Sequence, residues 1–241
     1  MTDELETLLR DCAAEMRIAL TGEMAARLLQ YKDLLLEWNE KMNLTAITDP
    51  REVVLKHFAD SLTALSVLDA GKALRVADVG TGAGFPGLPL AIAAPSWDVT
   101  LMDALQKRVS FLQAVRDALG MGTLNCLHLR AEDAGRSPAH REQYDAVVSR
   151  AVARLSVLAE YALPLVAVGG VFVALKGPAV DEELADAANA IQKLGGAAVE
   201  VVDVEIPFTE LSHKLVVIQK KRQTPTGFPR NAAQMAKNPL K

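Results

Sequence analysis

The stretch Ala77-Asp78-Val79-Gly80-Thr81-Gly82-Ala83-Gly84-Phe85-Pro86-Gly87 decides the fold. An apolar run at 74–79 predicts a strand, and Pro86 suits the first turn of a helix over 86–94. Glycines between a strand and a helix allow a sharp turn and let a ligand lie against bare backbone beside the helix N-terminus. Downstream the rhythm repeats: short apolar runs at 99–103, 124–129, 144–149, 170–175, 198–206 and 215–220 alternate with helical patterns at 105–119, 155–166 and 180–194. Near-continuous apolar strands separated by helices call for a parallel sheet covered on both faces. No helix separates the last two strands, so an antiparallel hairpin across 207–214 is expected at one end of the sheet.

Upstream of the loop, residues 1–70 read as helices. Leu5, Leu8, Leu9, Cys12 and Met16 form one apolar stripe, a second helix starts near Thr21, and a third follows Asp49-Pro50 through Val53, Val54, His57, Phe58 and Leu62. Downstream, 71–220 holds the alternating pattern. The tail, 221–241, carries Pro225, Pro229 and Pro239 without a period. From Lys220 onward the chain has Lys220, Lys221, Arg222, Arg230, Lys237 and Lys241 and no acidic residue, although the whole chain carries a net charge of −4. Such an end is either a solvated extension or a nucleic-acid arm, because the acidic body repels phosphate and any nucleic-acid role needs a local basic patch.

Composition narrows the field further. The chain is 50% hydrophobic, which excludes disorder as the dominant state. Its two cysteines, Cys12 and Cys126, build neither a disulfide framework nor a zinc site and read as buried apolar residues. Charges among the first leucines leave no secretory segment, and the longest apolar stretch, 155–175, is broken by Glu160, Pro164 and Gly169-Gly170. The expectation is a cytoplasmic protein with no membrane span and no metal.

Two ligands compete for the glycine loop, and a purely structural glycine turn is the third reading. Gly82-x-Gly84-x-x-Gly87 matches the dinucleotide fingerprint, which would make the chain a nicotinamide-dependent Rossmann oxidoreductase. Asp78 favours S-adenosylmethionine, since a carboxylate there suits a cationic amino group and repels a pyrophosphate. The triple Gly80-x-Gly82-x-Gly84 is also tighter than a dinucleotide requires. Asp103, closing the next strand, is placed to accept ribose hydroxyls or to cap the helix after it. Arg130-Ala131-Glu132-Asp133 follows the third strand and would cover an adenine. Arg150 and Lys176 end later strands, where a cofactor or an RNA phosphate is met. Asn39 is a base-binding candidate or a cap, and His57 and Asp60 read as braces between helices and sheet.

Taken together these segments resemble a known family. Trp38-Asn39-Glu40-Lys41-Met42-Asn43-Leu44-Thr45 and His57-Phe58-Ala59-Asp60-Ser61-Leu62 are similar to its helical lead-in. The glycine loop, Lys107-Arg108-Val109-Ser110-Phe111-Leu112, Arg130-Ala131-Glu132 and Ser149-Arg150-Ala151-Val152-Ala153 are similar to its cofactor domain. The family is the bacterial 16S rRNA guanine-N7 methyltransferase G, or glucose-inhibited division protein B, and the likeness covers nearly the whole chain. It implies a Rossmann-like S-adenosylmethionine-dependent fold, an α/β seven-stranded, mostly parallel sheet with an antiparallel C-terminal hairpin behind an α-helical N-terminal region. It further implies methyl transfer from S-adenosylmethionine to N7 of a guanosine in the 530 loop of 16S rRNA, free or within the 30S subunit. By position, Gly80, Phe85, Ala131, Glu132 and Arg150 would contact the cofactor with Asp103 at the ribose, while Asn39, Arg130 and Lys176 would serve activity or RNA contact. One departure is Asn231-Ala232-Ala233-Gln234, which intervenes before the terminal Lys-x-Pro-Leu. A non-catalytic RNA-binding ribosome factor is the reading from another class.

Overall fold

The structure, a computed structural model, describes residues 2–150 and 152–240. Ala151 of the family stretch and Lys241 of the tail lie outside the described residues. The helical region comprises α1 (Thr2–Glu15), α2 (Gly22–Met42) and α3 (Pro50–Val53). The third helix runs on through a π segment (Val54–Ala59), α4 (Asp60–Leu62) and a 3-10 turn (Thr63–Ser66). Thr21 and Asp49 start α2 and α3 as side-chain caps, accepting from Met24 N at 3.2 Å and Glu52 N at 2.9 Å.

The strands are β1 (Arg75–Val79), β2 (Asp98–Asp103), β3 (Asn125–His128), β4 (Tyr144–Arg150), β5 (Val166–Lys176), β6 (Gly196–Glu205) and β7 (Ser212–Lys220). They form one seven-stranded sheet in the order β3-β2-β1-β4-β5-β7-β6. The pairs from β3 to β5 are parallel, whereas β7 runs antiparallel to both β5 and β6. The expected sheet and its terminal hairpin are therefore both present. Helices α5 (Gly87–Ala93), α6 (Gln106–Ala118), α7 (Ala131–Ala134), α8 (Leu155–Ala162), α9 (Asp181–Lys193) and α10 (Ala232–Lys237) complete the chain.

Two cores flank the sheet, and alternation along β1 assigns its residues to them. Val76 faces a cluster with Leu28, Tyr31, Phe58, Leu88 and Phe111, so the N-terminal helices share a core with the sheet. Ala77 and Val79 face the other cluster, with Leu155, Leu158, Phe172 and Ile191. Strand order reverses between β1 and β4, and the crevice at their carboxyl ends is where such sheets bind ligands.

Three local expectations differ from the structure. The helix expected over 155–166 stops at Ala162, because Pro164 has no N–H with which to continue the helical ladder, and β5 begins soon after at Val166. The segment after β3 is not a plain loop but the single turn α7. The tail is neither a solvated end nor a free arm: Asn231 and Gln234 form a capping box that starts α10, and Met235 is fully buried. Among its basic residues, Lys220 is buried at the end of β7, Arg222 donates to Gln192 O at 2.9 Å, and Arg230 pairs with Glu160 at 2.7 Å.

Candidate active site

The glycine loop leaves β1 and folds toward β2, with Gly80 N and Thr81 N donating to Met102 O at 3.0 and 3.1 Å. Gly80, Gly82 and Gly84 have φ of +69°, +62° and +108°, in the left-handed region that glycine tolerates. Their surroundings differ. A Cβ on Gly84 would meet the Tyr31 hydroxyl at 2.8 Å, while one on Gly82 would find nothing within 4 Å. Gly82 therefore borders open space.

Asp78 holds this loop from beneath. Its Oδ2 accepts from Thr81 Oγ1 at 2.6 Å and from Gly87 N at 2.8 Å. Burial raises its pKa to about 6, although the Thr81 and Gly87 hydrogen bonds and the Arg150 charge oppose the rise. Its Oδ1 is buried without a partner among the described residues, an acceptor that a ligand ammonium would satisfy. The carboxylate is fully buried beneath the loop.

Asp103 ends β2 on the far side of the loop. Its Oδ2 accepts from Gly82 N at 3.0 Å and from Arg108 Nη1 at 3.3 Å, and its Oδ1 accepts from Leu105 N at 2.8 Å. The carboxylate thus ties loop to strand and also caps the approach to α6. A cavity of about 160 Å³ opens beside it, lined by Gly80, Asp103, Arg130, Ala131, Glu132 and Tyr161 among others. That is less than the roughly 300 Å³ at which small-molecule pockets begin, so it takes one end of an extended ligand whose remainder lies along the loop. A larger cavity of about 740 Å³ lies between α1 and the β6–β7 turn, where no glycine-loop residue lines it. The smaller one is the candidate site because chain reversal, glycine loop and strand-end carboxylate meet there.

The remaining expected residues divide. Gly80, Asp103, Ala131, Glu132 and Arg130 share the cavity, while Gly82 and Gly84 form the loop beside it. Phe85 does not line it: its ring is buried, stacked on His57 at 4.4 Å and beneath the Arg150 guanidinium at 4.8 Å. Arg150 is not a free cofactor or phosphate contact either. It donates to Asp60 Oδ2 at 2.6 Å, to His57 Nδ1 at 3.1 Å and to Lys56 O at 3.3 Å. Because His57 Nδ1 accepts, Nε2 carries the proton and donates to Thr45 Oγ1 at 2.8 Å. Burial and then the Arg150 charge lower the His57 pKa to about 4, so the ring is neutral near pH 7.

Asn39 acts as a cap through its Oδ1, which accepts from Leu44 N at 2.7 Å and Thr45 N at 2.9 Å. Lys176 likewise turns inward, donating to Ala153 O at 3.0 Å and pairing with Glu183 at 2.7 Å, with 9% of its side chain exposed. Sequence reasoning missed Tyr161 and Tyr31. Tyr161 is one apolar residue in a helical stripe, with no local mark of its place in the cavity wall. Tyr31, fully buried, donates its hydroxyl to Ala83 O across the boundary between α2 and the loop. Arg108 stands in a stretch already noted, but its ion pair with Asp103 shows only in three dimensions.

A sheet in this order, with a glycine loop after its first strand and a carboxylate ending its second, defines a methyltransferase of the Rossmann-like kind. Solved structures agree on the fold. A predicted O-methyltransferase from Agrobacterium tumefaciens matches with a TM-score of 0.54 at 20% identity, covering 68% of this chain and 82% of that one. The Burkholderia thailandensis 1,6-didemethyltoxoflavin-N1-methyltransferase, solved with its substrate and S-adenosylhomocysteine bound, matches with a TM-score of 0.52 at 14% identity, covering 85% and 92%. The chain belongs to the rRNA small subunit methyltransferase G family, whose model matches residues 24–212. It is 48% identical to the ribosomal RNA small subunit methyltransferase G of Alkaliphilus oremlandii over 238 residues, covering 99% of this chain and 100% of the relative. The counterpart from Clostridium perfringens strain 13 is 50% identical over 215 residues, covering 89% and 90%. This membership makes the chain an enzyme of methyl transfer and sets aside the nicotinamide and non-catalytic readings. Among the described residues no helix is long and apolar enough to cross a membrane, and no group of three or more His, Cys, Asp or Glu is arranged to hold a metal.

Proposed function

We propose that this protein transfers a methyl group from S-adenosylmethionine to N7 of a guanosine in the 530 loop of 16S rRNA, acting on the RNA or on the 30S subunit. The observation that carries the reading is the cavity between Asp103 and α7, beside a glycine whose missing Cβ leaves open space. There Asp103 would hold the ribose, Ala131 and Glu132 would border the adenine, and the loop backbone from Gly80 to Gly84 would carry the methionine portion. The orphaned Asp78 Oδ1 would answer its ammonium. When bound, the cofactor supplies an electrophilic methyl on a sulfonium.

Guanine N7 presents a lone pair and carries no proton at neutral pH, so the protein need only align two reactants and exclude competing nucleophiles. The chain's histidine at the loop and its two cysteines agree with that demand. His57 is buried and engaged on both nitrogens, and Cys12 and Cys126 are buried thiols whose pKa burial raises to about 11, unfit as nucleophiles. Ser149-Arg150-Ala151-Val152 stands at the end of the fourth strand, where methylases of exocyclic amines place an Asn/Asp-Pro-Pro-aromatic segment, and the absence of that segment argues against an amine target. Arg130, exposed at the cavity mouth, is the cation placed to meet RNA phosphate.

The test is to map tritiated methyl groups on 16S rRNA from a strain lacking this protein, supplied with purified protein and labelled S-adenosylmethionine, as free RNA and as 30S subunits. Label at one guanosine of the 530 loop, released by chemistry selective for N7-methylguanosine, is the expected result. Label on a ribose or exocyclic amine, or none in either substrate, would overturn the assignment.

A further inference from the structure

The C-terminal tail reaches both walls of the cofactor cavity from behind. One wall is α7, with Ala131 and Glu132, and the other is α8, with Tyr161. Behind α7, Arg136 Nε donates to Pro229 O at 3.0 Å, and Arg141 Nη1 donates at 2.7 Å both to Gly135 O and to Phe228 O. Behind α8, Arg230 grips Glu160, the neighbour of Tyr161. Its Nε and Nη2 donate to Oε1 at 2.9 Å and Oε2 at 2.7 Å, and its backbone N donates to Oε1 at 2.8 Å. Glu160 is fully buried. A third donor, Nη1, reaches Asn238 O at 2.9 Å and fastens α10 to the same point.

We infer that residues 228–230 are a strap that fixes the distance between the two walls of the cofactor cavity, with Arg230 as its positioning residue. The inference rests on the proposed function for what the cavity holds. A buried ion pair is a poor device for stability alone, because an apolar pair of equal volume does as well or better. A planar fork meeting a buried carboxylate instead fixes direction as well as distance, which is what locating α8 against α7 requires. It also gives the basic tail a role other than RNA binding, since Arg230 spends its fork and a third donor within the chain.

Arg230→Lys in the full-length protein separates the two roles, because lysine keeps the charge and loses the fork. The probes are S-adenosylhomocysteine in titration calorimetry, a 16S rRNA transcript in filter binding, and hydrogen exchange of the amides at 131–134. The strap requires S-adenosylhomocysteine affinity to fall about fivefold, the low end of ordinary coupling between sites. It also requires faster exchange at 131–134 and unchanged RNA binding. Unaltered cofactor affinity and exchange in Arg230→Lys would overturn it. So would Arg230→Met weakening RNA binding while sparing S-adenosylhomocysteine, the behaviour of an RNA arm. If the unsubstituted protein fails to bind S-adenosylhomocysteine, the methyltransferase site itself is misplaced, while exchange at 131–134 still reports on the strap.

Discussion

Arg150 Nη1 lies 2.6 Å from Asp60 Oδ2, an ion pair that joins the end of β4 to the helical region ahead of the sheet. It is the centre of a connected set. Asp60 Oδ1 meets His213 Nδ1 at 2.9 Å from β7, and Arg150 lies over Phe85 in the cofactor loop. Helices, loop and two strands are thus fastened at one place, so the substrate-facing rim is assembled only when the N-terminal region is docked.

That assembly is sensitive to acid. His57 has a folded pKa of about 4 against an ordinary 6.5, so its contribution is complete above pH 6.5 and is lost as pH falls through 4. The loss amounts to about 3 kcal/mol. Asp60 adds to it: burial would raise its pKa, but the His213 hydrogen bond and the Arg150 charge bring it below the usual value, so its share persists above 3.8 and disappears lower. Urea unfolding measured from pH 7 to 4 is expected to show this decline, and His57→Asn to flatten the portion between 6.5 and 4. An identical slope in the variant would refute the assignment.

Asp78 works in the opposite sense. Its folded pKa, near 6, exceeds the ordinary 3.8, so its contribution is full below 3.8 and is lost as pH rises through 6. At pH 8 the buried charge costs about 3 kcal/mol relative to the unfolded chain. Asp78→Asn should therefore raise the melting temperature at pH 8 and leave it little changed at pH 4. It should also weaken S-adenosylhomocysteine by at least about tenfold, because a neutral amide removes the charge that attracts the ammonium. A variant that gains stability and keeps full affinity would show that Asp78 serves the loop alone.

Much of this site was legible before the structure, and what was hidden has a common cause. Gly80, Gly82, Asp103 and the 130–132 segment stand at strand ends, and strand ends are marked by period and glycine. Asn39 takes the cap role that the sequence allowed, on the 44–45 amides, but Arg150 and Lys176 at strand ends turn back onto Asp60 and onto Ala153 O and Glu183, partners set by packing between separate elements. Spacing carries no record of that. The tail could have been read better: Asn231 and Gln234 have the cap-box spacing, which the surrounding prolines obscured.

Two glycines of one loop should respond differently to alanine. Gly82→Ala places a methyl in open space at a φ of +62°, at a cost of about 1–2 kcal/mol, and the protein should fold. Its S-adenosylhomocysteine affinity should fall roughly a hundredfold, because the methyl stands where the ligand meets backbone. Gly82→Asp, which adds a charge beside Asp103, should abolish binding. Gly84→Ala instead meets Tyr31, Leu112 and Leu88 within 3.1 Å and should fail by instability, seen as insoluble protein or a large drop in melting temperature. Equal affinity in Gly82→Ala and the unsubstituted protein would remove the ligand from this loop.

Lys176 tests whether the rim beyond the cofactor serves the RNA. Its ammonium holds Ala153 O and pairs with Glu183, whose Oε2 also accepts from Leu155 N at 2.7 Å. Together these bonds fix the segment that leaves β4 for α8, which borders the cavity only through Val152, while Asp103 and Glu132 line it from other elements. Removing the cation loosens that segment while leaving the ribose and adenine contacts in place. Lys176→Ala is therefore expected to keep S-adenosylhomocysteine affinity within about twofold and to cut methylation of 16S rRNA by about tenfold, the effect of misplacing one reactant by a fraction of an ångström. Glu183→Gln, which weakens the same anchor from the other side, should fall in the same direction by less. Parallel loss of cofactor affinity and methylation in Lys176→Ala would place the lysine in the fold's support and not in the presentation of RNA.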